Sequence, residues 1–428
     1  MKMSLPAGSL RFILILFFSF LFFSGFISCR KDSVGDTITL TFTSWRTDDI
    51  ERMNRINALF TQTHPDIQIN FQPFDTEVYD SIALDRLKDG AGADIIFLRS
   101  YDKGRKFYDN GYLYDLTNVI PDLAAFNPMV VNAWSTKQGI TYGLPSVGVT
   151  HGIYYQKALF AKYNIQEPTT WIEFIAACET LYEGGETVFA QGTLDSWTLY
   201  EIAYSGLGAN FYGGEAARQD LMSGTKKLTD PNFLAAFSAV NSLKMYLPEG
   251  YQMLGYDAMK QLFTSGKAAM FLGGSWEIST FEDMGADSSE IGWFAPPVVT
   301  PGDKLQYCFH VDAGIGINKN TKNMEAAIEY LKWLSGTQYA QALMDELPGF
   351  FSYTPGILTM INPLAQEMYD ASLTANLTVR TMCERLSVQE PSGSTLMGNA
   401  LNGMMNGDYT AETAASYVQT QLDTWYKP

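Results

Sequence analysis

The chain has 428 residues, more than one hydrophobic core comfortably organises, so two domains are expected before any motif is read. Apolar residues make up 46% and charged residues 18%, the balance of a globular protein, and a formal charge of −17 excludes the basic surface that nucleic acid requires. His64, His151 and His310 have no Cys or His neighbour at zinc-ligand spacing, and Cys178, Cys308 and Cys383 cannot all pair, so neither a metal site nor a disulfide framework is expected.

In chain order, the first element is an export signal. Lys2 and Arg11 precede an almost unbroken apolar run from Phe12 to Ile27, the charged and apolar regions of a leader peptide. That run approaches the roughly 17–25 residues that span a bilayer, so an uncleaved membrane anchor is the alternative. Its end favours cleavage. Phe26-Ile27-Ser28-Cys29 places a small residue before a cysteine and resembles a lipobox, in which the thiol is acylated and the chain is cut before it. Residues 1–28 are therefore expected to be a lipoprotein signal peptide, Cys29 the lipidated first residue and 29–36 a tether. The domain would sit in the cell envelope, held to a membrane by acyl chains such as palmitate and facing the periplasm or the exterior.

Ile38, Leu40 and Phe42 then alternate with threonines, the period of a strand with one buried face that ends near Ser44. Asp48 and Glu51 have capping-box spacing, and Ile50, Met53, Ile56 and Phe60 form a helical stripe stopped at His64-Pro65. Ile67, Ile69 and Phe71 alternate again, a helical pattern runs from about Val78 to Leu87, Gly90-Ala91-Gly92 turns the chain, and residues 94–98 read as a buried strand. This β-α-β-α-β order predicts a mainly parallel sheet.

Further on, Thr170 and Glu173 form a second capping box ahead of Trp171, Phe174, Ile175, Cys178 and Leu181. Asp230-Pro231 opens another helix, with Phe233, Phe237, Val240 and Leu243 or Leu247 inward. Residues 268–272, 291–295 and 313–317 are short apolar strand candidates, the last followed by an amphipathic helix through Met324, Ala327, Ile328, Leu331 and Leu334. There is no internal repeat and no low-complexity linker. Two α/β lobes without a linker imply that the chain crosses between them more than once, with ligand outside the carboxyl ends of the strands. The expected division places 37–148 and 301–350 in an N-terminal lobe, and 149–300 and a helical 351–428 in a C-terminal lobe.

Several segments resemble extracellular solute-binding protein family 1, the group of maltose-binding protein and other sugar receptors. Ala93-Asp94-Ile95-Ile96-Phe97 is similar to its third strand, and Asn110-Gly111-Tyr112-Leu113 to the turn after the next helix. Tyr142-Gly143-Leu144-Pro145, Tyr154-Tyr155-Gln156-Lys157-Ala158-Leu159-Phe160 and Pro168-Thr169-Thr170-Trp171-Ile172-Glu173-Phe174 follow in the family's order. The best single signature is Phe263-Thr264-Ser265-Gly266-Lys267-Ala268-Ala269-Met270, leading through Gly273-Gly274-Ser275 to Trp276. Gly314-Ile315-Gly316-Ile317-Asn318-Lys319-Asn320 with Glu325-Ala326-Ala327 resembles the strand-to-helix segment downstream. The resemblance implies a two-lobed periplasmic-binding-protein fold of type II, each lobe a mainly parallel sheet flanked by helices, with the ligand cleft between them. It implies a monomeric receptor that delivers a small molecule, a saccharide in most such proteins, to the transmembrane subunits of an ABC permease, without cofactor, metal or catalysis.

Sugars present apolar C–H faces ringed by hydroxyls, so their sites pair aromatic platforms with carboxylates and amides, and 14% of this chain is aromatic. Trp276, after small residues at a strand end, matches the family's ligand-facing tryptophan; a core position is the alternative. Trp45, Arg46 and Asp48 follow the first strand, where Asp48 could cap a helix and Arg46 could pair with Asp48 or Asp49. Ser100, Tyr101 and Asp102 follow the third. Ser146, Thr150 and His151 are polar candidates on the next strand, His310 and Asp312 resemble a cleft-lining loop, and Trp197 and Tyr353 sit in polar or glycine-containing loops. Val149 departs from the polar or acidic residue that sugar-binding members often carry there. Arg46, Arg99 and Lys103 are the only strand-end cations read, which favours a neutral sugar over phosphate.

Two alternatives remain. One is a binding protein for another small solute, such as a polyamine, matched to the chain's acidity. The other is an anchored glycoside-processing enzyme, since carboxylates and aromatic platforms also serve glycosidases. Its motifs are incomplete: Phe211 stands where a dinucleotide fingerprint beginning at Gly206-Leu207-Gly208 needs its third glycine, and Gly273-Gly274-Ser275-Trp276-Glu277 lacks the last glycine of a nucleophile elbow.

Overall fold

In the computed structural model, residues 37–356 and 359–428 are described; the expected signal peptide, Cys29 and the expected tether lie outside them. Strands β1 (Ile38–Ser44), β2 (Ile67–Pro73) and β3 (Ile95–Arg99) lie parallel in the order β2-β1-β3, joined by helices Ile50–Thr63 and Tyr79–Lys88. The alternation at Ile38, Leu40 and Phe42 works as expected. Phe42 is fully buried, with Phe71 and Phe97 edge-on at 5.4 and 5.5 Å, and Tyr330 of helix Met324–Leu334 closes over it at 6.2 Å.

Two long strands tie this sheet to a second one. β4 (Leu144–Gln156), β5 (Met270–Gly274), β6 (Ile291–Phe294) and β7 (Gln306–Ile317) follow in the chain. β7 runs antiparallel to β3 and, from Phe309 onward, to residues 144–150 of β4. His151–Gln156 of β4 then pair instead with β5 and β6. After β8 (Phe351–Ser352), which pairs with Val147 and Gly148, the chain leaves the first sheet again: helix Pro363–Thr374 packs Leu364, Ala365 and Met368 among Phe271, Ile291 and Trp293. β9 (Asn376–Thr378) pairs with Gln306–Cys308, the part of β7 beyond the first sheet. Among the named strands, parallel pairing is confined to β2-β1-β3 and the short β7-β9 contact. β4 and β7 are shared by both lobes and run past each other in opposite directions, and β3, β5, β6 and β8 pair antiparallel to one or the other.

Local chemistry sets the helix starts. At Thr170 both arms of the capping box form, Thr170 Oγ1 accepting from the Glu173 amide and Glu173 Oε2 accepting from the Thr170 amide. Helix Pro231–Ser242 carries proline in its first turn and buries Phe233, Phe237 and Val240. The box expected at Asp48 and Glu51 does not form. A 3-10 turn, Thr47–Asp49, intervenes, the helix begins at Ile50 with no side-chain cap, and the Asp48 and Asp49 carboxylates bind cations instead. Among the described residues, no helix is long and apolar enough to cross a membrane.

Candidate functional site

The carboxyl ends of β1, β2 and β3 face the helical side of the second lobe across a cavity of ≈ 290 Å³. On the first wall, Trp45 follows β1 and rests against Tyr79 and Phe97, with the Arg99 guanidinium 4.4 Å from its ring centroid. Arg99 in turn donates to Asp80 at 3.2 Å. Arg46 grips Asp49 with two bonds of 2.7 and 2.8 Å. Burial opposes its charge, but Asp49, helped by Asp48 and Glu277, outweighs burial and holds the guanidinium ionised.

On the second wall, Trp276 follows β5 and its Nε1–H donates to the Tyr256 hydroxyl at 2.7 Å. Tyr256 donates onward to Glu277 and meets the Trp197 ring edge-on at 4.7 Å. Glu277 is fully buried, and burial pushes its carboxyl well above the ordinary range against the pull of Arg46. The platform is thus fixed by Tyr256, which also lines the cavity, and behind it by Glu277, which does not.

At the back, where β7 crosses, Arg380 holds Glu201 at 2.9 Å and Asp312 at 3.8 Å. Glu201 projects from a π-helix, Thr198–Tyr204, a rare geometry enriched at functional sites. Burial raises the Glu201 carboxyl, but Arg380 and Lys103 together leave it below its usual value; burial prevails at Asp312, which stands above. At the mouth, Asp75, Glu77 and Asp195 have no cation within ion-pair distance among the described residues. Glu77 and Asp195 are both raised, first by burial and then by neighbouring carboxylates, Asp195 acting on Glu77 and Asp257 on Asp195.

A recess of ≈ 40 Å³ continues from the cavity past Ser100, Asp102 and His310. Burial pushes the Asp102 carboxyl up to about 7. Folding therefore retains a proton that the unfolded chain releases near pH ~4, and Asp102 lowers stability progressively as pH rises from there to about 7. Asp102→Asn removes this dependence. Its stability relative to wild type, from urea midpoints, is expected to rise between about pH 4 and 7 and to level off above; a pH-independent difference would contradict the shift.

Of the residues selected from sequence, Trp45, Arg46, Trp197, Trp276 and Asp312 meet in the cavity, while Asp102 and His310 line the recess, which Asp312 shares. Tyr101, Ser146, Thr150 and Tyr353 line neither. Thr150 is fully buried where β4 changes sheets, its hydroxyl donating to the Cys308 carbonyl at 3.0 Å. Val149, also buried, lies opposite His310 in the β4–β7 ladder and off the cavity, so its departure from the family pattern falls in the crossing strand. Sequence reasoning missed Glu77, Asp195, Glu201, Tyr256, Lys260 and Arg380. Lys260 and Arg380 add to the expected strand-end cations, and each is committed to carboxylates.

Two α/β lobes joined by crossing strands, with an aromatic and carboxylate-lined cavity between them, define a two-lobed binding protein. A profile described as bacterial extracellular solute-binding protein matches residues 45–341, and the chain belongs to that family. It is 25% identical to a mannitol-binding protein of Pseudomonas aeruginosa over 84% of this chain and 81% of that one. It is 24% identical to a multiple sugar-binding protein of Streptococcus mutans over 74% and 77%. An uncharacterised ABC transporter extracellular-binding protein of Pyrococcus horikoshii shares 24% identity over 59% of this chain, the match spanning 60% of that protein's length. Among solved structures, a chitin oligosaccharide binding protein superposes with a TM-score of 0.78 at 22% identity, covering 91% of this chain and 99% of that one. The solute-binding protein RafE in complex with raffinose gives 0.77 at 19%, covering 91% and 100%. At these identities the structural likeness carries the fold.

Proposed function

We propose that this chain is the substrate-binding lipoprotein of an ABC importer, closing its lobes on a sugar or oligosaccharide and delivering it to the permease's transmembrane subunits without catalysis. The observation that carries this reading is the meeting of Trp45 from one lobe with Trp197 and Trp276 from the other, among carboxylates that accept from hydroxyls. The mannitol-binding and multiple sugar-binding relatives support it. Residues 37–148 and 301–350 form the N-terminal lobe in this reading and 149–300 and 351–428 the C-terminal lobe; Trp45, Arg46, Trp197, Trp276 and Asp312 contact ligand, with Asp102 and His310 at its far end. Cys29 carries the acyl anchor after removal of residues 1–28, placing a monomer on the outer side of a membrane.

A polyamine is the second reading, favoured by the unneutralised Asp75, Glu77 and Asp195 at the mouth. A thermal-shift panel of saccharides, polyols, polyamines and amino acids on the leaderless protein, with Cys29 replaced, separates the two. Ligand at about 100 times its dissociation constant stabilises by roughly 2.7 kcal/mol. A saccharide recovered unchanged is the expected hit; polyamine hits alone overturn the sugar, and cleavage of a saccharide overturns the receptor.

A further inference from the structure

Lys260 reaches across the cavity. It sits on helix Tyr256–Thr264 of the second lobe, yet its ammonium lies 3.0 Å from Asp48, in the turn after β1 of the first. Its own lobe supplies Asp257, also at 3.0 Å, and the face of Tyr256, whose centroid is 4.8 Å away. Asp257 is largely exposed, whereas Lys260 is only 4% exposed. A buried ammonium needs close partners, and the nearest one on the other lobe is lost if the lobes part.

The same ammonium bears on the ligand platform. The Tyr256 ring beneath it presents the hydroxyl that receives Trp276 Nε1–H and donates to Glu277, and its backbone amide donates to Asp195 at 2.7 Å. Asp48, Lys260, Tyr256 and Trp276 therefore form one contact chain from lobe to lobe.

We propose that Lys260 is a positioning residue, a clasp through which lobe closure onto Asp48 sets the stance of the Trp276 platform. A contact present only in the closed state shifts the equilibrium toward it by its own free energy, with or without ligand. The clasp thus favours a closed, platform-ready receptor before solute arrives. This inference rests on the saccharide reading only for what the platform receives.

The test uses ligand-free leaderless protein, so its failure leaves the saccharide reading untouched. Small-angle scattering gives the radius of gyration of wild type, Lys260→Met, Asp48→Asn, the double variant and Lys260→Arg. Both single variants are expected to be more expanded than wild type, the double no more expanded than either, and Lys260→Arg compact. Salt at about 1 M, where the screening length is about 3 Å, should move wild type toward the variants. Fluorine NMR of fluorotryptophan-labelled protein, with the Trp276 signal assigned by Trp276→Phe, adds a readout that loss of packing at position 48 would not produce. That signal is expected to move in Asp48→Asn, although Asp48 does not bond to the indole. Wild-type dimensions in both single variants, additive expansion in the double, or an unmoved Trp276 signal in Asp48→Asn overturns the clasp.

Discussion

Trp276→Ala is expected to weaken binding of the cognate saccharide by at least about thirtyfold, the size of a loss of about 2 kcal/mol. The ring sits at a strand end, is 6% exposed, and has its nitrogen fixed by Tyr256 and its edge against His151 at 5.5 Å. A platform held this way costs little side-chain entropy on binding, so truncation removes stacking area without a compensating gain in freedom. Trp276→Phe keeps a smaller aromatic face and loses the bond to Tyr256, so its deficit should be smaller than that of Trp276→Ala, on the order of 1 kcal/mol. Titration calorimetry with the saccharide from the thermal-shift panel gives both values. Wild-type affinity in Trp276→Ala would remove the tryptophan from the site.

Trp276 was legible in the sequence because three small residues and a strand pattern precede it. The same holds for Trp45 and Arg46 after the alternation of β1, and for most of the fold, since periodicity and the Thr170 capping box are local signals. What escaped was non-local. Lys260 reads as a surface charge on an amphipathic helix, and only the approach of Asp48, 212 positions earlier, makes it a buried ion pair. Arg380 lies in an irregular stretch with no period. Glu201 sits on a π-helix, whose spacing no 3.6-residue pattern reveals. Strand direction was equally hidden, since local alternation says nothing about whether a neighbour runs parallel.

Arg380→Met is expected to destabilise the protein by about 3–5 kcal/mol near pH 8, the usual cost of removing one partner from a buried ionic group. The Arg380 side chain is 11% exposed and stands between Glu201 and Asp312, whose side chains are 14% and 13% exposed. Without it, two carboxylates face each other in a desolvated space. In wild type, Glu201 is held below its ordinary pKa, so its contribution is present above the unfolded value of about 4.3 and fades as pH falls through the folded one. In the variant both carboxyls rise, and their ionisation is what opposes folding. The deficit should therefore be largest at high pH and shrink toward about pH 5, as the folded variant takes up protons that wild-type Glu201 does not. Urea unfolding at several pH values measures it. A deficit constant with pH would mean that Arg380 acts through packing and not through charge, and would detach Glu201 and Asp312 from the electrostatics of the cleft.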